Sequence, residues 1–456
     1  MRRLNRFAAV LTLLITSCDG EITRDADVDA DRDIEHDTGS DGDADTDVDA
    51  DSDSDFGVDA DVDEHSITVT TELITSEHRF VPDAMFGGWG PHLGHLVRVE
   101  RESAGSDLYW SDDLCSQEVT GDCDVAVNRR VGIMRRDVGA WTTVATVVLP
   151  TGVQQNTATL ATGETLRVFG VDTAASRIVE CLVDVHGGTS DCSQIPIEIG
   201  PSANYIGAAL SPLGPRFVWW TNVADGGGGS FSYIVEYTLG WNGPRSGPVG
   251  GYNDCAYAHA AFRTDGSGMT FFCQVITGWA PSWSFSTLVG DAVGSDVPIS
   301  WTNALAAADG DPVMSTNDLW LDGTTQDTHL IARTEGGAAA YYFRPRDGTW
   351  TGALFVEPAS YRARWIATND LVALVSGPAS GGLRLRQVPR STVVAGTPLE
   401  LDMAPVYDIV LPDGFGRVIA IYPLAATYQS VEVTSVELVV VGETRQNEAL
   451  FVEVEL

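Results

Sequence analysis

Lysine is absent from the 456-residue chain, and all 27 of its basic residues are arginine. This absence excludes a Schiff-base lysine, a lysine general base and the lysine of a phosphate-binding loop. The chain also lacks the spacing of a GxSxG nucleophile elbow, of an HExxH zinc helix and of a P-loop. Long apolar runs are missing too, since the N-terminal stretch Phe7–Ile15 is too short to span a bilayer as a helix.

Positive charge is scarce. The formal net charge is −37 at neutral pH, from 64 acidic and 27 basic residues. Between Asp19 and Glu64 there are 21 acidic residues against Arg24 and Arg32, and the rest of the chain is also acidic. Such a surface repels the phosphates of nucleic acids, so we expect no nucleic-acid partner.

The N-terminus has the layout of an export signal. Three arginines within the first six residues precede the apolar stretch, and Ile15-Thr16-Ser17-Cys18 follows. This tetrapeptide resembles the lipobox of bacterial lipoproteins. The resemblance implies a signal peptide at residues 1–17, cleavage before Cys18, and acylation of Cys18 with chains such as palmitate, which would hold the protein to a bilayer. The expected location is the bacterial cell envelope, on the periplasmic or the cell-surface side. The alternative is an ordinary signal peptide with an incidental cysteine.

Residues 18–64 form an acidic tether in this interpretation. Aspartate alternates there with Ala, Val, Thr, Ser and Gly. Such a run buries too little apolar surface to fold and repels itself, so we expect a disordered chain with a root-mean-square span of roughly 40 Å or more. Its Asp41–Asp45 segment resembles a calcium-binding DxDxD loop but lacks the full register, so weak Ca²⁺ association is the expectation, and no cofactor is predicted.

Six further cysteines occur as three close pairs, and in an exported chain such pairs predict disulfides. The predicted pairs are Cys115–Cys123, Cys181–Cys192 and Cys255–Cys273. Local pairing is one of about 15 possible connectivities. No CxxC or Cys/His cluster with zinc spacing is present, so no metal site is predicted.

From residue 65 to 456 the sequence consists of short β-rich runs separated by Gly, Asp and Asn turns. Pairs of strands recur at intervals in the forties to sixties of residues. The pairs are Thr157–Gly163 with Thr165–Asp172, Tyr205–Gly214 with Arg216–Val223, Ala258–Gly268 with Met269–Ile276, Asp318–Gly323 with Thr328–Thr334, Arg362–Asn369 with Leu371–Ser376, and Val406–Gly416 with Arg417–Tyr422. A third alternating strand follows each pair.

This repeat resembles a β-propeller, in which four-stranded blades pack around an axis. The expected fold is therefore all-β, a single propeller of seven blades, with Ile67–Leu73 or Phe451–Leu456 completing the last blade. Six or eight blades, or two β-sandwiches, are the alternatives. No WD, kelch or Asp-box signature assigns the chain to a named propeller family.

Candidates for chemistry are few. His92 and His95 could present two imidazoles to a metal, but no third ligand is in view, and His259 could serve as an acid or base in the central channel. Several aspartates recur around the turns that follow first strands, and most of them are interpreted as turn formers. These are Asp318, Asp322, Asp370, Asp408 and Asp413.

The tryptophans give the one positive indication of a ligand, because flat aromatic rings stack on sugars and are common at interfaces. Most of the 12 are expected to pack between blades. Trp279 and Trp283, in a predicted loop, are the candidates for ligand binding. The sequence thus favours a non-enzymatic binding module for an unknown envelope protein or glycan. The alternative is an extracellular polysaccharide hydrolase or lyase with its site in the funnel of the propeller.

Overall fold

A computed structural model describes most of the chain from Ile67 onward. The described residues are 67–81, 95–101, 105–115, 130–153, 157–198, 206–210, 216–224, 230–238, 245–248, 255–262, 268–277, 284–293, 300–302, 313–334, 336–424 and 433–455. Where they fall within 196–198, 216–317 and at 361, the description covers the backbone alone. The chain divides after Ser66, and all described residues belong to the second unit, Ile67–Leu456.

The described residues form seven antiparallel sheets, which we number as blades 1 to 7. The first strand of the chain, β1 (Thr68–Thr75), belongs to blade 7. Blade 1 contains β2 (Arg79–Phe80), β3 (Leu96–Glu100), β4 (Ser106–Cys115), β5 (Arg130–Asp137) and β6 (Ala140–Val148). Blade 2 contains β7 (Ala158–Thr162), β8 (Thr165–Asp172), β9 (Arg177–Asp184) and β10 (Thr189–Glu198).

Blades 3 to 5 have four strands each, in chain order from the inside outward. Blade 3 contains β11 (Gly207–Leu210), β12 (Arg216–Ala224), β13 (Ser230–Thr238) and β14 (Arg245–Pro248). Blade 4 contains β15 (Cys255–Phe262), β16 (Gly268–Thr277), β17 (Ser284–Val293) and β18 (Ser300–Thr302). Blade 5 contains β19 (Val313–Leu321), β20 (Thr328–Thr334), β21 (Ala339–Arg344) and β22 (Phe355–Glu357).

Blades 6 and 7 complete the ring. Blade 6 contains β23 (Ser360–Ala367), β24 (Leu371–Pro378), β25 (Leu383–Pro389) and β26 (Val406–Ile409). Blade 7 contains β27 (Val418–Pro423), β28 (Val436–Gly442) and β29 (Glu448–Glu455), with β1 as its outermost strand. A short 3-10 helix, Arg390–Thr392, precedes β26. The described residues include no helix with the length and hydropathy needed to cross a membrane.

The blades follow one another around an axis. The innermost strands contact in the order β3, β7, β11, β15, β19, β23 and β27. The two ends of this series meet, because β1 contacts β6 and the Tyr422 ring of β27 packs on His95 of blade 1. The fold is therefore a seven-bladed β-propeller, and the predicted fold class is confirmed.

The last blade is closed by both ends of the propeller sequence. Residues Thr68–Thr75 of β1 pair antiparallel with Glu448–Glu455 of β29, with Thr68 opposite Glu455. The predicted closure used either Ile67–Leu73 or Phe451–Leu456, and the structure shows strands from both segments in the last blade. Because β1 lies at the outer edge, it has a partner strand on one side within this sheet.

The core lies between the blades, as the strand sequences require. A middle strand is covered on both faces by neighbouring blades and therefore has a continuous apolar sequence. The sequences LVALVSGP of β24 and VELVVVG of β28 are almost wholly buried. An outer strand has one covered face, and in the second half of β6 the buried Ala145 and Val147 accordingly alternate with the exposed Thr146 and Val148.

The predicted positions of one pair of strands within the blades are wrong. The sequence pattern predicts Val406–Gly416 and Arg417–Tyr422 to be the first and second strands of one blade. In the structure β26 is the outermost strand of blade 6 and pairs with β25, whereas β27 is the innermost strand of blade 7 and pairs with β28. A blade boundary therefore falls between these segments, and the sheets rather than the local pattern determine it.

Candidate functional site

The inner strand of blade 1 is built from two segments. Both β2 and β3 pair with β4, so that Phe80 lies opposite Leu114 and Leu96 lies opposite Trp110. The Val81 amide donates to the Asp113 carbonyl at 2.8 Å, and the Ser111 amide donates to the His95 carbonyl at 2.9 Å. Among the described residues, the inner strand of blade 1 is therefore interrupted between Val81 and His95, opposite Asp112.

Three titratable side chains meet at this interruption: His95, Asp112 and Tyr422. The His95 and Tyr422 rings lie 4.8 Å apart between centroids. The Tyr422 hydroxyl lies 3.5 Å from Asp112 Oδ2, and the Asp113 amide donates to Asp112 Oδ1 at 2.8 Å. All three side chains are buried, with at most 3% exposure. We call them the interruption cluster.

The orientation of His95 follows from its partner. His95 Nδ1 lies 3.0 Å from the Ser111 carbonyl oxygen. A carbonyl can only accept, so Nδ1 carries the proton, and in the neutral ring Nε2 is the nitrogen with a lone pair. The cluster therefore combines an imidazole, a carboxylate and a phenol, which can all hydrogen-bond to a polar ligand.

An aromatic wall adjoins this cluster. The Trp110 ring lies 6.0 Å from Tyr422 and 4.8 Å from Phe80, with the latter pair nearly edge to face. Trp110 is fully buried, because even-numbered residues of β4 face the core shared with blade 7. Polar groups beside aromatic rings form the chemical setting typical of ligand sites.

The other face of β4 joins blade 1 to blade 2. Ser111 Oγ donates to Thr159 Oγ1 at 2.6 Å. Asp113 accepts from the Thr157 hydroxyl at 3.1 Å and from the Thr157 amide at 3.3 Å. Neighbouring residues of a strand point to opposite faces, so Asp112 and Asp113 do not face each other.

Asp318 plays the same connecting role between blades 5 and 6. Its carboxylate accepts from the Leu319 amide at 2.8 Å and from the Trp365 amide of β23 at 2.7 Å. The interpretation of Asp318 as a turn former is therefore wrong, since the residue lies within β19 and bonds to the next blade. Asp322 does form the following turn, where it accepts from the Thr324 amide at 3.0 Å and the Thr325 hydroxyl at 2.9 Å.

The seam between blades 7 and 1 also contains a partly buried ion pair. Arg98 of β3 donates to Glu437 of β28. Burial raises the pKa of Glu437 above its usual value, and the charge of Arg98 partly opposes this shift. The charge of Glu437 on blade 7 is therefore balanced by Arg98 of blade 1, because an unpaired charge in surroundings of low polarity is costly.

Two of the three predicted disulfides can be followed in the structure. Cys181 of β9 and Cys192 of β10 lie directly opposite each other and are bonded, so this pairing is confirmed. Cys115, at the end of β4, is also disulfide-bonded, but Cys123 lies outside the described residues. Cys255 begins β15 and Cys273 lies in the neighbouring β16, and their side chains are not among those described.

Several predicted site residues lie outside the described part of the chain. They are Cys18, His92, Trp279 and Trp283. Trp279 and Trp283 fall in the connection between β16 and β17, and His259 lies in β15 opposite Phe272. Among the tryptophans whose side chains are described, Trp110, Trp320 and Trp365 are buried in the core. Across the described ranges, no group of three or more His, Cys, Asp or Glu residues is placed to hold a metal ion.

The interruption cluster was missed by the sequence analysis, apart from His95. Its signal is the run Ser111-Asp112-Asp113 inside a strand whose other residues are mostly apolar or aromatic. A carboxylate in a buried strand must be hydrogen-bonded, and so marks either a connection between elements or a functional site. Asp113 is an example of the first, and Asp112 is a candidate for the second.

The protein is thus a β-propeller with a buried polar cluster where blade 7 meets blade 1. No protein-family model matches the chain, and no curated protein matches it. Solved structures with a similar fold include a lectin from Burkholderia pseudomallei, with 14% identity, 77% of this chain and 93% of that chain covered, and a TM-score of 0.48.

Two further structures are similar at a comparable level. A protein of unknown function from Dyadobacter fermentans has 12% identity, with 84% of this chain and 99% of that chain covered and a TM-score of 0.44. An α-L-arabinanase from Penicillium chrysogenum, complexed with arabinobiose, has 12% identity, with 71% and 99% covered and a TM-score of 0.42. Similarity this remote does not indicate function.

Proposed function

We propose that the protein is an exported, lipid-anchored binding module whose propeller recognises a glycan of the cell envelope at the interruption cluster. The cluster supplies a carboxylate, a phenol and an imidazole next to Trp110, and such groups hydrogen-bond and stack on sugars. A protein partner is the alternative ligand. Because the cluster is buried, ligand entry requires the wall to open, and association is expected to be slow.

The orientation of two neighbouring aspartates favours binding over hydrolysis. Glycosidases usually place two carboxyl groups about 5–10 Å apart on either side of the scissile bond. Asp112 points toward blade 7, whereas Asp113 points toward blade 2 and is held by Thr157. These two residues therefore do not form such a pair. Hydrolysis stays the second candidate, since Asp112 with His95 could still serve one half of an acid–base mechanism.

Replacing Asp112 by Asn is expected to weaken glycan binding about tenfold, because the variant exchanges one carboxylate oxygen, an acceptor, for an NH2 donor while keeping the shape of the side chain. The mature chain in detergent is screened on a glycan array, and the affinity for a bound glycan is then measured by calorimetry. Asp370→Asn is the matched control, as Asp370 is exposed in the turn before β24.

The outcomes separate the candidates. Unchanged affinity in Asp112→Asn would place the ligand elsewhere on the propeller. Absence of glycan binding, with capture of one specific envelope protein by the wild-type chain, would replace the glycan by a protein ligand. Release of shorter glycans, detected by mass spectrometry, would establish the hydrolase instead.

Anchoring through Cys18 has its own test. The disulfide Cys181–Cys192 supports export, because such bonds persist in oxidising compartments. Cells fed an alkyne fatty acid are expected to label the wild-type chain, and Cys18→Ser is expected to lose the label. Cys181→Ser makes the same chemical change at a residue without lipid and should stay labelled. Persistent labelling of Cys18→Ser would rule out the predicted attachment site.

A further inference from the structure

The outermost strand β1 is weakly packed along its first half. Residues Thr68–Thr71 are exposed, and Ile74 is the buried residue of the strand. β1 pairs with β29 along one edge, whereas β29 is paired on both edges. The start of this strand is therefore held by hydrogen bonds to one neighbouring strand and by Ile67, which is partly buried against the core just before β1.

A cluster at Glu72 fastens the second half. Arg136 Nε lies 3.2 and 3.1 Å from the two Glu72 carboxylate oxygens, and Arg136 Nη2 donates to Oε1 at 2.7 Å. Trp141 Nε1 donates to Oε2 at 3.0 Å. The same guanidinium donates to Glu453 at 2.8 Å and lies 4.3 Å from the centroid of the Phe451 ring. We call this group the Glu72 latch.

The latch joins two blades. Glu72, Glu453 and Phe451 belong to blade 7, whereas Arg136 and Trp141 belong to blade 1. It therefore fixes β1 both to its own sheet and across the seam that closes the ring. Charge-assisted bonds to a bidentate carboxylate are the strongest hydrogen bonds available to this strand.

We propose that β1 is a strand that tension on the N-terminal segment can release, and that the Glu72 latch sets the resistance to release. Tension reaches β1 in the cell if the N-terminus is held, so this inference rests on the proposed anchoring at Cys18. Thr68 lies opposite Glu455, and a pull that separates the two ends loads the ladder one residue pair at a time. The exposed positions 68–71 separate first, and separation stops at Glu72.

Single-molecule force spectroscopy tests this order of events. The mature chain, residues 18–456, is held by tags at its two ends and stretched. The wild-type chain is expected to show a first step of about 3 nm in contour length, corresponding to the eight residues of β1, before the propeller unfolds. In Glu72→Gln this step is expected to occur about tenfold faster at a fixed force, because Arg136 loses the carboxylate partner on β1 and keeps only Glu453 of β29.

Glu77→Gln is the matched control, since Glu77 is exposed and lies just beyond the strand. It should behave like the wild type. Should Glu72→Gln fail to fold, Trp141→Phe removes a single bond of the latch, and its first step should also be faster. Hydrogen exchange at Thr68–Thr75 should rise in the same variants.

Two results would overturn the inference: unfolding of the wild-type chain without a separate first step, or a first step that the latch substitutions leave unchanged. Neither result depends on the lipid. If the wild-type chain were not labelled by the fatty acid but still showed the first force step, the proposed source of tension would be wrong. The mechanical behaviour proposed for β1 would still hold.

Discussion

Replacing Asp318 by Ala is expected to lower the free energy of unfolding by about 3 kcal/mol. Asp318 is 1% exposed, and its two carboxylate oxygens accept from the amides of Leu319 and Trp365 at 2.8 and 2.7 Å. Alanine removes this acceptor from two buried N–H groups, and each loss costs about 1–3 kcal/mol. Because Trp365 belongs to the next blade, the substitution weakens the contact between blades 5 and 6.

Two further variants separate this cause from a general effect of the mutation. Asp318→Asn keeps one acceptor oxygen and is expected to fall between the wild type and Asp318→Ala. Asp370→Ala changes an exposed turn residue and should stay within about 0.5 kcal/mol of the wild type. Urea denaturation, compared at constant m value, gives the differences. Equal midpoints for the two alanine variants would contradict the connecting role of Asp318.

Local pattern predicted the blades where each strand is followed by a tight turn. The predicted bounds Thr165–Asp172 are those of β8, because Asp172 closes the following turn with its own side chain, accepting from the Ala174 and Ala175 amides. The pairing of Cys181 with Cys192 was predicted from their short separation, and it bridges the next hairpin, between β9 and β10. Hairpin turns and local disulfides depend on residues that are close in the sequence, and they can therefore be predicted from the sequence.

The boundary between blades 6 and 7 could not be found in this way. β26 has four residues and follows a long connection after β25. A strand that short carries no signal to distinguish the outer edge of one blade from the inner strand of the next. Whether β26 is an outer or an inner strand depends on its pairing with β25, and the pattern of apolar residues does not specify that pairing.

The interruption cluster was hidden for a related reason. Asp112 and Tyr422 are 310 positions apart in the chain and meet because the ring closes between blades 7 and 1. No spacing in the sequence encodes this contact. The sequence shows an aspartate within the apolar β4 segment. Its partner Tyr422 comes within reach only because blade 7 packs against blade 1.

The stability of the propeller is expected to fall in acid because of one buried histidine. His329 is fully buried, stacks on Trp320 with centroids 4.3 Å apart, and has Nδ1 at 2.9 Å from the Tyr341 hydroxyl. The Tyr341 oxygen accepts from the Leu399 amide at 3.1 Å, so its own proton is available to His329. We assign Nδ1 as the acceptor of the Tyr341 proton, and the folded protein holds the buried ring in its neutral form.

Burial lowers the pKa of His329 from 6.5 to about 3, with the charge of Asp322 opposing the shift and that of Arg390 adding to it. Between these values the unfolded chain binds a proton that the folded protein does not bind. Stability is thus complete above pH 6.5 and falls as the pH decreases. The loss is expected to be about 2 kcal/mol by pH 5 and about 4 kcal/mol by pH 3.

His329→Phe separates this contribution from that of the carboxylates. The variant keeps an aromatic ring against Trp320 but loses the bond from Tyr341, which should cost about 1 kcal/mol at neutral pH. Near pH 4 it should instead be more stable than the wild type, by about 2 kcal/mol. His186→Gln changes an exposed histidine of the β9–β10 turn and should follow the wild type.

The comparison is made by chemical denaturation from pH 7 to pH 4. Carboxylates with lowered pKa values, such as Asp137 and Asp184, also weaken the fold in acid, but they do so equally in the wild type and in His329→Phe. The difference between the two curves therefore reports His329 alone. If the free energies of unfolding of the wild type and of His329→Phe fell in parallel with decreasing pH, protonation of His329 would not destabilise the fold. That result would contradict the prediction.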